Sequence, residues 1–346
     1  MEYYISEIRM NDARALAKVD RLLEKEGIRR DNSLDYICAM YDEEGNIAAT
    51  GSCYGNTLRC FAVSSGHQGE GLLNQIVTHL IDVQSARGNF HLFLYTKPSA
   101  AMFFRDIGFH EIARVENKLV FMENRRNGFS SYLAALAETR QEGNSAAVVM
   151  NANPFTRGHQ YLAEQAAASC DHLHLFVVSE DKSLVPFSVR KRLVEEGTRH
   201  LPNVILHDCG PYIISAATFP GYFLKDEEDI VQGQARLDLT VFRRIAETLN
   251  ISARWVGEEP VSAVTSVYNR IMQEELPGYG IQCIVVPRLE ADGMAISAST
   301  VRKCIQDQDY GLLRKLVPDS TYAYLMSEEA RDVIAAIRNE EDVIHH

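Results

Sequence analysis

The chain has 346 residues, of which 46% are hydrophobic and 24% are charged. This balance is typical of a globular protein with about two domains, so the composition excludes a disordered or fibrous chain. The formal net charge of -12 at pH 7 disfavours nucleic acid as the main partner, because a surface rich in carboxylates repels phosphates.

The seven cysteines are scattered, with no C-x-x-C pair and no compact Cys/His cluster. This pattern indicates reduced thiols and no metal site built from cysteine and histidine. The first residues lack the basic and apolar regions of a secretory signal, and no apolar run reaches the roughly 18 residues that a membrane helix needs. We therefore expect a cytoplasmic protein with no membrane partner.

Residues 1–125 predict an α+β domain with a mostly antiparallel sheet. In chain order, a helix is expected over 12–25, strands over 35–41, 47–54 and 58–63, a helix over 70–86, a strand over 90–95, a helix over 99–107 and a strand pair near 109–122. A linker helix is expected over 126–144, where a short amphipathic stretch is flanked by polar residues.

From residue 145 onward, apolar strands alternate with amphipathic helices. The strands are expected near 146–150, 173–178, 203–207, 253–257 and 281–286, and the helices near 188–199, 238–249 and 262–276. This alternation predicts a Rossmann-like parallel sheet with helices on both faces, over a second domain of 145–346 that ends in helices. Ligands bind such sheets beyond the carboxyl ends of the strands.

The first segment with candidate functional residues leads from a predicted strand into a helix. Gly158 permits a close backbone approach, the following amides attract an anion, and His159 can donate a hydrogen bond to a phosphoryl oxygen. The segment therefore predicts a phosphate site, although a plain turn would need the same residue types. The candidate nucleotide-binding residues here are Asn153, Pro154, Phe155, Thr156, Gly158 and His159.

Three further segments also follow predicted strands. Residues 296–302 open a helix with the hydroxyl residues of an ordinary cap, and provide Ile296, Ser297, Ser299, Thr300 and Arg302 as candidates. The loop after 173–178 provides Lys182, with Arg190 on the next helix, and the strand at 253–257 leads into Gly257 and Glu258. A solvated lysine, a surface arginine and a capping carboxylate are the plain alternatives.

Taken together, Thr156-Arg157-Gly158-His159 and Ile296-Ser297-Ala298-Ser299-Thr300-Val301-Arg302 resemble the nucleotidyltransferase superfamily that adenylylates small molecules. Thr156 replaces the commoner first histidine, which shifts one phosphate contact from an imidazole to a hydroxyl. The resemblance implies that ATP is a substrate, that Mg²⁺ bridges its leaving phosphates, and that His159, Lys182 and Arg302 are catalytic.

The first domain resembles the GNAT acetyltransferases at two places. His67-Gln68-Gly69-Glu70-Gly71-Leu72-Leu73 is similar to their pyrophosphate loop, with Leu73 in place of the final small residue, and residues 101–109 match a second pattern. The resemblance implies that Gln68, Gly69 and Gly71 bind a coenzyme A-like group. Whether the domain catalyses, binds or only packs is left open.

A GNAT-like domain followed by this nucleotidyltransferase domain is similar to the citrate lyase ligase family. That resemblance implies conversion of acetate and ATP into acetyl-adenylate and pyrophosphate, followed by acetylation of the prosthetic-group thiol on the acyl-carrier subunit of citrate lyase. Two alternatives remain: an adenylyl- or cytidylyltransferase that keeps the nucleotide on its product, and a non-catalytic regulator that binds a nucleotide or coenzyme A.

Overall fold

The computed structural model describes residues 2–179, 183–213, 219–222, 224, 227–258 and 263–340. The chain forms two compact units, one of Met1–Phe129 with Phe219–Gly233 and one of Ser130–Thr218 with Gln234–His346. Within these described ranges, no helix is long and apolar enough to cross a membrane.

The first unit differs from the predicted domain 1–125 because it includes the later segment 219–233. The Arg29 amide donates a 2.9 Å hydrogen bond to the Tyr222 carbonyl, and Lys118 forms a 2.8 Å ion pair with Asp229. Such contacts between distant parts of the chain leave no local periodicity in the sequence, so the sequence pattern predicts this segment as part of the second domain.

The first unit has the predicted α+β fold with a mostly antiparallel sheet. Its seven-stranded sheet has the order β1-β2-β3-β4-β5-β7-β6, with β4 and β5 parallel and paired only at Thr57–Phe93 and Leu58–Leu94. The elements are β1 (Tyr4–Glu7), α1 (Ala13–Lys25), β2 (Tyr36–Tyr41), β3 (Ile47–Tyr54), β4 (Thr57–Val63), α2 (Leu72–Ala86), β5 (Phe93–Thr96), α3 (Ala101–Asp106), β6 (His110–Val115) and β7 (Leu119–Glu123).

The elements from residue 128 onward belong to the second unit, except that α4 and α7 each begin in residues of the first unit. They are α4 (Gly128–Ala137), β8 (Ser145–Met150), α5 (Arg157–Ala167), β9 (His172–Val177), α6 (Phe187–Thr198), β10 (Val204–Asp208), α7 (Glu227–Leu249), β11 (Ile251–Gly257), α8 (Ala263–Glu275), β12 (Gln282–Val286), β13 (Glu290–Ala291), β14 (Met294–Ala295), α9 (Ala298–Gln306), α10 (Tyr310–Leu316), α11 (Asp319–Leu325) and α12 (Arg331–Asn339).

The main sheet of the second unit has the strand order β10-β9-β8-β11-β12 and is parallel throughout, as expected for a Rossmann-like domain. One apolar core packs Val148, Leu173 and Leu175 against residues of α5, α6 and α9. Since β8 pairs with β9 on one side and with β11 on the other, the strand order reverses at β8. A ligand crevice is expected beyond the carboxyl end of β8.

A buried polar cluster holds helix α7 against strand β11. The Arg254 guanidinium lies 3.4 Å from the Asp238 carboxylate and 4.3 Å from the Phe242 ring centroid, and Tyr268 donates a hydrogen bond to the same carboxylate. An arginine buried in this way needs a charged partner, because an unpaired buried charge is strongly destabilising. The cluster therefore fixes the strand that ends at Gly257.

Candidate active site

A cavity of about 270 Å³ lies at the carboxyl ends of β8, β11 and β12, beside the first turns of α5 and α9. The structure thus brings two segments that are far apart in the sequence to one place, where the fold predicts a ligand. Its lining includes the predicted residues Thr156, Gly158, His159, Gly257, Glu258, Ile296, Ser297 and Ser299.

The two segments meet most closely at Gly158. A Cβ atom built on this glycine would lie 2.9 Å from the backbone oxygen of Ile296, a distance that side-chain carbons essentially never show. Glycine is therefore required here because the backbone of the second segment packs directly on the first turn of α5. This contact sets the distance between the two helix N-termini.

The side chain of His159 is held in one tautomer. The Thr156 backbone amide donates a 3.1 Å hydrogen bond to Nδ1, so Nδ1 is the acceptor and the proton of the neutral ring is on Nε2. Burial, and secondarily the positive charge of Arg288, lowers the pKa of His159 to about 4. At neutral pH, His159 therefore offers one N–H donor and no charge.

Thr156 is the N-cap of α5. Its hydroxyl accepts a 3.3 Å hydrogen bond from the His159 amide and lies 3.0 Å from Nδ1 of the same residue. Because the hydroxyl serves as the cap, its main role here is to position His159. A direct contact between this hydroxyl and a phosphate stays a prediction.

Two predicted phosphate ligands lie elsewhere than expected. Arg190 is fully buried and donates to the carbonyls of Val185, Asn151 and Val178 at 2.9, 2.8 and 2.7 Å. Arg302 is 5% exposed and donates to the Asn153 carbonyl at 2.9 Å. Both arginines satisfy backbone carbonyls that would otherwise be unpaired, so they hold the site loops together and do not line the cavity.

Several other predicted residues also support the cavity without lining it. The Asn153 side chain accepts a 3.0 Å hydrogen bond from the Val185 amide, and Phe155 is fully buried with its ring stacked 5.9 Å from the His159 ring. Pro154 is buried beside them, and the Thr300 amide is capped at 3.0 Å by the Ser297 hydroxyl. Lys182 lies outside the described residues.

Arg288 lines the cavity just after β12 and is not among the residues predicted from the sequence. Its Nε donates a 2.8 Å hydrogen bond to the Glu258 carbonyl, so the residue connects the ends of β11 and β12. The signal was present in the sequence, because Arg288 follows the carboxyl end of a predicted strand, as the other candidates do. Asn151, Tyr161 and Thr265 were missed as well and also line the cavity.

A second cavity, of about 600 Å³, lies within the first unit where β4 and β5 diverge. Gln68, Gly69 and Gly71 line it, as do the apolar side chains of Leu73 and Phe104. The two glycines have φ values of 88° and 75°, which other residues adopt only with strain. The sequence-predicted loop therefore lies at a cavity.

The chain is similar in sequence to known proteins over most of its length. The family model "Citrate lyase ligase C-terminal domain" matches residues 145–325. The [citrate [pro-3S]-lyase] ligase of Haemophilus influenzae is 37% identical over 91% of this chain and 96% of its own length. That of Klebsiella pneumoniae is 39% identical over 89% and 92%, and that of Escherichia coli (strain K12) is 37% identical over 95% and 96%.

Among solved structures, the ribosomal-protein-S18-alanine N-acetyltransferase of Escherichia coli is 18% identical, covers 35% of this chain and 92% of its own, and has a TM-score of 0.28. The glucosamine-6-phosphate N-acetyltransferase of Arabidopsis thaliana is 19% identical, covers 34% and 98%, and has a TM-score of 0.29.

Proposed function

Because the chain belongs to the citrate lyase ligase family and is therefore an enzyme, we propose that it uses ATP to join acetate to the thiol of the citrate lyase acyl carrier, through acetyl-adenylate. The adenylation step is supported by one observation: the segments that contain His159 and Ser299 line the same cavity. The use of ATP and of a reduced thiol places the reaction in the cytoplasm.

In the first half-reaction, an acetate oxygen attacks the α-phosphorus of ATP in line. The bond from the α-phosphorus to the oxygen that bridges to the β-phosphate breaks, and pyrophosphate leaves with the electron pair. Acetate is ionised at neutral pH, so this step needs no general base. The residues of the cavity therefore have to position the two anions and stabilise the charge that develops on the α-phosphate.

His159 is suited to this task because its Nε2–H is a fixed donor that lines the cavity. Backbone amides in the first turns of α5 and α9 add further donors, and the dipoles of both helices favour an anion at their N-termini. Ser297 caps α9 and Ser299 lines the same edge, beside Gly257 and Glu258. We place the phosphates there, and Lys182 at the β and γ phosphates.

The lining also fits a magnesium ion that arrives with ATP. Mg²⁺ usually binds one or two carboxylates together with substrate phosphates and water. Glu258, which lines the cavity, has such a carboxylate. When bound, the ion would neutralise part of the charge on the leaving phosphates. Glu258 is the side chain we expect to hold it.

In the second half-reaction, the thiol sulfur attacks the acetyl carbonyl, the bond to the AMP oxygen breaks, and the thiol proton is released to solvent. We propose that the cavity of the first unit binds the coenzyme A-like prosthetic group that carries this thiol. The pairing of β4 with β5 ends at Leu58, and residues 61–63 of β4 line the cavity. An extended arm with amide groups can pair with such a strand edge.

Product analysis tests the proposed function. The enzyme is incubated with ATP, acetate and citrate lyase whose carrier thiol is free, and nucleotides and thioester are measured together. We expect AMP, pyrophosphate and acetyl thioester in equal amounts. Formation of ADP and phosphate would contradict adenylation, and a small product that keeps the nucleotide would favour the transferase alternative.

A further inference from the structure

We propose that Arg288 binds the phosphate chain of ATP beside His159, as a further substrate-binding residue of the cavity. This inference rests on the proposed function in so far as ATP is the ligand. Arg288 lies outside the two segments that resemble the nucleotidyltransferases.

Arg288 supplies positive charge to the lining of the cavity. ATP is a polyanion, yet the predicted ligands Arg190 and Arg302 are buried and donate to backbone carbonyls. Among the described residues, Arg288 is the only lysine or arginine in the lining of the cavity. A phosphate chain in this cavity therefore meets the charge of Arg288 before that of any other described cation.

The Arg288 side chain is held at the ends of two adjacent strands. The 2.8 Å hydrogen bond from Nε to the Glu258 carbonyl fixes the plane of the guanidinium. The Glu258 amide in turn donates a 2.8 Å hydrogen bond to the Val286 carbonyl, so two adjacent strand ends define the position. A guanidinium held in a fixed plane presents parallel N–H donors, which match the oxygens of a phosphate.

Arg288 and His159 line the same cavity. The charge of Arg288 contributes to the lowered pKa of the imidazole, after the larger effect of burial. His159 can therefore supply a directional donor to the phosphate while Arg288 supplies the charge. A phosphate between them would have one contact of each kind, and both contacts would stabilise the negative charge that develops on it.

The test compares ATP with adenosine as ligands of wild type, Arg288→Gln, Arg288→Lys and the control Arg314→Gln, whose side chain is 49% exposed and pairs with Asp319. We expect Arg288→Gln to weaken ATP binding at least about tenfold and to leave adenosine binding unchanged, since adenosine has no phosphate. Arg288→Lys should have an intermediate ATP affinity, and the control should match wild type. NMR titration should show a higher pKa of His159 in Arg288→Gln.

Unchanged ATP affinity in Arg288→Gln would overturn the proposal, and so would an equal loss of ATP and adenosine affinity, which indicates a structural defect. If Arg288→Gln does not fold, Arg288→Lys decides the matter by the same comparison. Wild-type exchange of pyrophosphate into ATP is measured separately. Its absence, together with ATP binding that depends on Arg288, would overturn the adenylation mechanism and leave this assignment intact.

Discussion

The guanidinium of Arg302 donates a 2.9 Å hydrogen bond to the backbone carbonyl of Asn153, across 149 residues of sequence. Arg302 lies on α9 and Asn153 lies in the loop that enters α5, so this bond joins the two segments that form the cavity. The same guanidinium lies 3.5 Å from the Ser299 hydroxyl. This buried arginine therefore stabilises the fold and also holds the two segments of the cavity together.

Replacement of Arg302 by lysine should therefore reduce both stability and activity. A lysine ammonium cannot reproduce the planar set of donors, so the Asn153 carbonyl loses a fixed partner. We expect about 1–3 kcal/mol less free energy of unfolding and a clear loss of ATP turnover, measured by denaturant titration and by AMP formation. Lys303→Ala is the control on the same helix, because that side chain is 60% exposed. Equal behaviour of the two variants would show that the Arg302 bond does not support the site.

Gly158→Ala tests the close approach of the two segments. The added methyl group would lie 2.9 Å from the Ile296 carbonyl oxygen, so the backbone has to shift. We expect a loss of about 1–3 kcal/mol in unfolding free energy and a lower rate of AMP formation. Gly278→Ala is the matched control, since a Cβ there has nothing within 4 Å and the backbone has no positive φ. A fully active Gly158→Ala enzyme would contradict the required contact.

Acid stability should depend on a buried histidine pair. His174 Nδ1 lies 2.9 Å from His207 Nε2, and burial lowers the pKa of each to about 4, below the ordinary value of 6.5. Between these pH values the unfolded chain binds protons that the folded chain does not, so stability falls as pH falls from 6.5 to 4 and is fully present above 6.5.

The slope should reach up to about 1.4 kcal/mol per pH unit for each histidine of the buried pair. In a His174→Gln/His207→Gln double variant, the unfolding free energy should fall less between pH 6.5 and 5 than in wild type. The reason is that up to two fewer protons bind when the chain unfolds. Urea titrations at several pH values measure it. A slope identical to that of wild type would mean that the pair is not kept neutral by the fold.

The role of the first unit is tested by Gly71→Asp. A carboxylate at this position adds bulk and negative charge to the predicted diphosphate loop. We expect pyrophosphate exchange to survive and acetylation of the carrier thiol to fall. Gly88→Asp is the matched control, because Gly88 has a φ of 82° against 75° for Gly71, equally open surroundings and no place in the cavity lining.

If both half-reactions fall together in Gly71→Asp but not in Gly88→Asp, the first unit supports the nucleotide site. If neither falls, the cavity of the first unit does not bind the prosthetic group. Both results would contradict the proposal that the cavity of the second unit serves adenylation and the cavity of the first unit serves thiol transfer.

The strand and helix pattern of both units could be predicted because their apolar periodicity is local. Helix α1 was expected over 12–25 and lies at Ala13–Lys25. Helix α7 was expected only over 238–249 but begins at Glu227, in a part of the chain that packs with the first unit. That extension depends on tertiary contacts, which a single sequence does not reveal.

The candidate site was predicted in its location and partly in its residues. His159 and Ser299 line the cavity because a helix start after a strand places them at the sheet edge. The arginines were harder to predict, because an arginine that caps buried carbonyls and one that faces a ligand look alike in sequence. Arg190 and Arg302 are of the first kind, and Arg288, which was missed, lies in the cavity lining.

Adenylation of acetate is tested most directly by exchange of labelled pyrophosphate into ATP, with and without acetate and in the absence of the acyl carrier. The account predicts exchange in wild type that requires acetate, and a loss of about 10²–10³-fold in a folded His159→Ala variant, because one donor to the developing charge is removed. Exchange that proceeds equally without acetate, or that is unaffected in His159→Ala, would contradict the mechanism.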